Sequence, residues 1–287
     1  MADTNETAVR VGVIGGSGLY TLLEGARTLE IATPFGEPSS PVTVGDFGGR
    51  TVAFVARHGT GHTVPPQRVN HRANLWALAS LGVQAVIGSS AVGSITPDLP
   101  ADTFVVPDQL IDRTGRRDDT YFDGTHPDGT HGDGADVQHL AFADPFDPTV
   151  RTALCRALEA RGERFAPLGT TLVIPGPRFS TRAESRGWRL LGADLLNMTQ
   201  YPEAALAAEL GIAYASLSFV TDADVGHAPG DDAVSADVVF ARLTQARDRI
   251  TGTIADAIAR LPHELRAREL VDRDATARLL ARPVVTA

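Results

Sequence analysis

Short runs of apolar, largely β-branched residues alternate along this chain with amphipathic stretches of ten residues or more. The first run, VRVGVIG at 9–15, stops at Gly15-Gly16-Ser17-Gly18 and predicts a buried strand ended by a tight turn. Residues 41–57 read as hairpin-like strands, and RVNHRANLWALASL at 68–81 predicts a helix. After Gly82, VQAVIGSS predicts another buried strand, closed by Ala91-Val92-Gly93. The alternation then continues: strands near 103–111, 170–174, 193–199 and 212–220, and helices at 149–161, 181–191, 202–210 and 235–261. This pattern predicts an α/β fold with a mixed, largely parallel β-sheet flanked by helices on both faces. No linker-like break interrupts it, so a single domain is expected over 9–261. A helical tail over 262–287 follows, with an apolar stripe through Leu265, Leu270 and Leu279.

Composition narrows the chemistry. All 26 basic residues among the 287 are arginine, and there is no lysine. Schiff-base chemistry, a Walker-type phosphate loop and a kinase Lys–Glu pair are thereby excluded. A net charge of −9 argues against a nucleic-acid or anionic-membrane surface, both of which need a basic face. No run of 18 apolar residues and no leader pattern is visible, and the chain reads as cytoplasmic. Cys155, the lone cysteine, lies in an apolar helical segment and reads as core packing. Residues 115–136 repeat Asp-Gly-Thr-His and read as a solvated loop, since His126 and His131 lack metal-ligand spacing; no metal site is expected.

The turn at 15–18 resembles a dinucleotide-binding fingerprint only in part. Thr21 stands where the third glycine belongs, and no acidic residue ends a second strand about 20 residues on. An anion cradle of amides and the Ser17 hydroxyl remains, without a dinucleotide.

Strand ends carry the candidate chemistry, because ligands in open α/β sheets bind there. They hold Ser17, Arg57-His58 and His62 in RHGTGH, Ser90-Ala91-Val92-Gly93, Asn197-Met198-Thr199, and Asp222 and Asp224 in TDAD. An Arg-His pair after a strand can equally be a surface ion pair, and a lone DxD a plain turn. Two carboxylates so close in a poorly solvated pocket share one proton, giving one donor and one acceptor.

Together with GPRFSTRAE, VNHRANLWAL, DQLIDRT, TYFDG and NMTQYPEAALAAELGIAYAS, these residues closely resemble the trimeric purine nucleoside phosphorylase family, in order from about residue 9 to about 260. The resemblance is greatest to the members that cleave S-methyl-5′-thioadenosine. It implies that inorganic phosphate attacks C1′ of a nucleoside, giving free base and a sugar 1-phosphate, with phosphate as co-substrate and neither metal nor organic cofactor. Ser17, Arg57, His58, Ser90, Ala91 and Thr199 match the phosphate site, with Arg57 suited to a bidentate contact. Asp222 and Asp224 match the catalytic base-facing pair, one donating to purine N7 and the other accepting from N6. Relatives acting on 6-oxopurines place Asn at the position of Asp222 and Glu at that of Ser180, so Asp and Ser imply adenine. Phe179 is implied against the purine and Met198 under the ribose. Ala236, Val239 and Phe240 are implied at an apolar 5′ end, with His227 nearby in sequence. The resemblance also implies a homotrimer or a dimer of trimers, in which His139 of the partner subunit nears the methylthio end. A broader purine nucleoside or methylthioinosine phosphorylase, a hydrolytic nucleosidase and a non-catalytic nucleotide- or anion-binding protein are the alternatives.

Overall fold

The computed structural model describes residues 9–115, 117–124, 137–225, 234–265 and 267–284. In chain order its strands are β1 (Val11–Gly15), β2 (Arg27–Leu29), β3 (Val42–Phe47), β4 (Arg50–Ala56), β5 (Ala85–Ser94), β6 (Phe104–Val105), β7 (Gln109–Asp112), β8 (Phe165–Ala166), β9 (Thr170–Val173), β10 (Leu195–Asn197) and β11 (Ala213–Asp222). The α-helices are α1 (His71–Ser80), α2 (Pro148–Ala160), α3 (Arg182–Leu190), α4 (Gln200–Glu209), α5 (Ala236–Arg260) and α6 (Arg273–Leu280).

The sheet runs β2-β3-β4-β1-β5-β10-β9-β7, with β11 on the other edge of β5 and leading through β6 to β8. Six of its ten pairings are parallel (β1–β4, β1–β5, β5–β11, β9–β10, β7–β9, β6–β8). The antiparallel ones are β2–β3, β3–β4, β5–β10 and β6–β11. The sheet is therefore mixed and largely parallel, as the alternation predicts. The fully buried β1 and the near-continuous burial of β11 follow from helices on both faces. One core cluster sets Val13, Ile87 and Leu217 against Leu154 of α2 and Ile254 of α5. The other sets Ile14, Val55 and Val86 against Leu75 and Leu78 of α1 and Leu206 of α4.

Element boundaries depart from the periodicity where side chains or proline intervene. The run at 103–111 is two short strands, β6 and β7, separated by Val106, Pro107 and Asp108; Pro107 has no N–H to continue a ladder. The segment at 193–199 shrinks to β10 because the Asn197 side chain turns the chain. Its Oδ1 accepts from the amides of Thr199 and Gln200, both at 2.7 Å. Tyr201 is extended (φ −113°, ψ 131°), as a residue preceding proline prefers, so the regular part of α4 starts at Pro202. β2 is a three-residue edge strand with no periodic signal of its own.

Among the described residues of the tail only α6 is helical, capped by Asp272 Oδ1 on the Ala275 amide at 2.9 Å. It packs on the protein's own body: Ala275 and Leu279 join the α1–α4 cluster, and the Trp76 indole donates to the Leu279 carbonyl at 3.4 Å. Among the described residues no helix is long and apolar enough to cross a membrane. Leu279→Ala is expected to cost about 2–5 kcal/mol of stability by denaturant melting while leaving turnover unchanged. A loss of activity without loss of stability would contradict a purely structural tail.

Candidate active site

The site originates in how β5 changes partners. Along one edge β5 pairs with β1 up to Gly88 and with β10 from Gly93 onward. Between them the edge is uncovered by any strand. The Ser89 carbonyl there accepts from Arg57 Nη1 at 2.8 Å and the Ala91 carbonyl from Asn197 Nδ2 at 3.2 Å, so both residues turn their backbone groups toward the opening. In a strand the N–H of a residue points the same way as its C=O, which aims the Ala91 amide into the opening as well. Two glycines permit the close approaches. A Cβ on Gly16 would lie 2.3 Å from the Ser89 carbonyl oxygen, and one on Gly93 2.9 Å from Asp222 Oδ1.

A cavity of about 340 Å³ occupies this opening. It brings together Ser17, Arg57, His58, Ser90, Ala91, Thr199, Met198, Phe179, Asp222, Asp224, Ala236, Val239 and Phe240 from seven separate segments of the chain, along with His62. Two of the expected site residues do not line it. His139 is exposed elsewhere on the chain, and Ser180 lies beside Phe179 with its hydroxyl buried and without a hydrogen-bond partner among the described residues. His126, His131 and His227 lie outside the described residues.

At one end the floor is polar and uncharged overall. Arg57 is 1% exposed; its Nε and Nη2 both donate to the Glu203 carboxylate, the second at 2.8 Å. The side edge of the fork is thereby taken by a carboxylate, so a two-point contact with phosphate is left to the Nη1–Nη2 end alone. One Nη1 N–H serves Ser89, which leaves two of the five N–H donors. His58 also differs from a simple cationic donor. Burial, and secondarily the Arg57 charge, lowers its pKa to about 4, while its Nδ1 lies 2.9 Å from the Val64 carbonyl. A carbonyl only accepts, so Nδ1 carries the proton and Nε2 is an acceptor. Thr199 precedes α4 without using its side chain as a helix cap; its hydroxyl lines the cavity and makes a long contact to Asn197 Oδ1 at 3.4 Å. Glu203 lies within the string NMTQYPEAALAAELGIAYAS, but nothing in it marks this glutamate for the site, where it is 0% exposed.

Opposite stand the two carboxylates at the end of β11. Asp222 accepts from the Thr221 hydroxyl at 2.7 Å and the Asp224 amide at 2.8 Å. Burial raises its pKa despite these donors. Asp224 has a left-handed backbone (φ 52°), and burial raises its pKa to about 6, with the Asp222 charge adding to the rise and a Ser185 hydrogen bond opposing it. Its Oδ2 is buried with no protein partner among the described residues. Asp222, with two donors, suits the ionised state; Asp224 is the member closer to neutrality. Phe179 is held over the cavity by a rigid loop: Arg178 meets both Glu184 oxygens at 2.7 Å, and Thr181 and Glu184 form a capping box at the start of α3.

The third side is apolar except for His62. Phe240 meets the His62 ring edge-on at 5.3 Å between centroids, and Tyr20 Oη lies 3.2 Å from His62 Nδ1. His62 stands 4.6 Å from the His58 ring, so it links the polar and apolar ends of the cavity.

A polar cavity at strand ends, faced by a carboxylate pair, is where ligands bind in open α/β sheets, and the relatives give the family. The phosphorylase superfamily pattern matches residues 10–259, and the chain belongs to that superfamily. A purine nucleoside phosphorylase of Streptomyces coelicolor is 46% identical over 260 residues, 90% of this chain and 91% of that one. An S-methyl-5′-thioadenosine phosphorylase of Mycolicibacterium smegmatis is 51% identical over 229 residues, 79% and 82% respectively. Among solved structures, a methylthioadenosine phosphorylase from Schistosoma mansoni in complex with adenine superposes with a TM-score of 0.84 at 33% identity, over 95% of this chain and 98% of that one. The fold is the nucleoside phosphorylase fold, and the class of activity is nucleoside phosphorolysis, a pentosyl transfer.

The raised pKa of Asp224 has a thermodynamic consequence. A carboxyl held at about 6 when folded and near its ordinary value when unfolded stabilises the fold while protonated, and that contribution is lost as pH rises through about 6. Asp224→Asn removes the ionisation. The variant is therefore expected to gain stability relative to wild type between pH 5 and pH 8, by about 1.4 kcal/mol from the part of the shift that falls in that window. Melts at both pH values check this, and a pH-independent difference would contradict it.

Proposed function

We propose that this enzyme cleaves S-methyl-5′-thioadenosine with inorganic phosphate, releasing adenine and 5-methylthioribose 1-phosphate. The observation that carries the reading is the placement of two buried carboxyls with raised pKa values, Asp222 and Asp224, the latter at about 6, across one cavity from the polar floor at Arg57. Adenine presents an acceptor at N7 and a donor amine at N6, which one protonated and one ionised carboxyl match. Phosphate needs convergent hydrogen bonds rather than covalent help. Ser17, Thr199, the Ala91 amide and the two remaining Arg57 N–H groups supply donors, with Ser90 beside them, and His58 Nε2 accepts from a P–OH. The bond from C1′ to the purine breaks as a phosphate oxygen bonds to C1′, and a proton shared by the carboxyl pair meets the charge developing on the departing base. Phe179 packs on the base and Met198 on the ribose. Ala236, Val239 and Phe240 suit a methylthio group, which has no hydrogen bond to satisfy.

The reading includes a homotrimer, with the partner subunit's His139 at the methylthio end, and residues 262–287 as an accessory tail. It includes no metal and no organic cofactor, and it places the enzyme in the cytoplasm.

A second reading, in which adenosine is also cleaved, is favoured by His62, the polar side chain that stands against Phe240 at the otherwise apolar end. Methylthioadenosine, adenosine, inosine and methylthioinosine assayed with phosphate decide the matter. Adenine nucleosides are expected to lead, with methylthioadenosine first. Fast inosine cleavage with negligible methylthioadenosine cleavage would refute the base and 5′ assignments. Asp222→Asn replaces an acceptor that shares a proton by a fixed amide donor, and is expected to move preference toward hypoxanthine. Unchanged adenine preference in that variant would refute the shared-proton account.

A further inference from the structure

The arginine of the anion cradle does not stand free. Both Glu203 oxygens are engaged by its side edge, Tyr214 Oη donates to Glu203 Oε2 at 2.9 Å, and His71 Nδ1 lies 3.5 Å from Glu203 Oε1. All four residues are buried, Glu203 at 0% and Tyr214 at 2% exposure. Glu203 sits in the first turn of α4, Tyr214 on β11, His71 on α1 and Arg57 just past β4, so four elements converge on one carboxylate.

Glu203 does not line the cavity, whereas Arg57 does. The carboxylate consumes the side edge of the guanidinium, leaves an anion only the Nη1–Nη2 end, and cancels its charge. Such an arrangement is a poor way to attract an anion by charge and an effective way to fix the two remaining N–H vectors. We propose that Glu203, held by Tyr214, is a positioning residue for phosphate: it sets the direction in which Arg57 presents its last two donors to the gap at Ala91. The proposal rests on assigning that end of the cavity to inorganic phosphate.

Two substitutions at Glu203 separate orientation from charge. Glu203→Gln leaves Arg57 uncompensated and puts an amide where one acceptor stood; Glu203→Asp keeps the charge but is one methylene too short for both contacts. If orientation matters, each raises the KM for phosphate, by about tenfold in Gln from loss of a charge-assisted hydrogen bond, while the KM for methylthioadenosine changes less than about twofold. If Glu203 only balances charge, Gln lowers the KM for phosphate and Asp leaves it unchanged, and the proposal is overturned. Tyr214→Phe keeps the ring and removes the hydroxyl that donates to Glu203. Because the same hydroxyl also meets Arg57, it tests the fixed geometry of the whole pair should both Glu203 variants fail to fold, with a rise of about threefold in the phosphate KM expected and an unchanged value overturning the proposal. Calorimetric titration of inorganic phosphate into each variant without nucleoside separates the two readings. Weakened phosphate binding in an enzyme that cleaves no nucleoside leaves the positioning role standing and removes the proposed function. Phosphate-dependent cleavage with unweakened phosphate binding does the reverse.

Discussion

The exchange of partners along one edge of β5 is the constraint on which the site depends. A strand has one row of N–H and C=O groups per edge, and buried rows must be satisfied. β1 covers the first part of this row and β10 its end. In the gap the structure meets the row with side chains, Arg57 on the Ser89 carbonyl and Asn197 on the Ala91 carbonyl. The same two side chains then shape the cavity: Arg57 forms its floor, and Asn197 turns the chain so that Thr199 faces inward. The backbone defect and the binding site are one feature.

Electrostatics follow from that geometry. Arg57 is buried because the sheet needs it there, and a buried arginine requires a partner, which Glu203 provides. Their mutual neutralisation and the neutral His58 leave a cradle that works through hydrogen bonds. Across the cavity, burial acts on two carboxyls instead, and pushes Asp224 toward its protonated form. On the proposed function, burial thus gives an uncharged floor for the anion and a carboxyl of raised pKa in the same cavity, which suits a reaction between an anion and a poor leaving group.

Much of this was legible in the chain. The αβ alternation follows from periodicity, and the positions of Ser17, Arg57, Thr199, Asp222 and Asp224 follow from their place just beyond apolar runs. What was not legible has physical reasons. Glu203 is invisible because nothing in an apolar helix announces which buried partner a glutamate meets 146 residues away. The hand-over on β5 is a property of register, and register between distant strands has no local signature. The splitting of 103–111 was signalled by Pro107, but the apolar residues on both sides of it outweighed that signal. The protonation states of His58 and Asp224 belong to burial and appear only with the fold. The absence of lysine, by contrast, carried through to the end, since the anion cradle contains one arginine, hydroxyls, an imidazole and backbone amides.

The central claim is that the anion held at the β5 gap is the nucleophile. Following a single sample of enzyme, methylthioadenosine and inorganic phosphate by ³¹P NMR, with adenine measured in parallel, tests it most directly. The account predicts one phosphate consumed and one sugar 1-phosphate formed for each adenine released, and no adenine when phosphate is removed. Adenine released with the phosphate signal unchanged would contradict it.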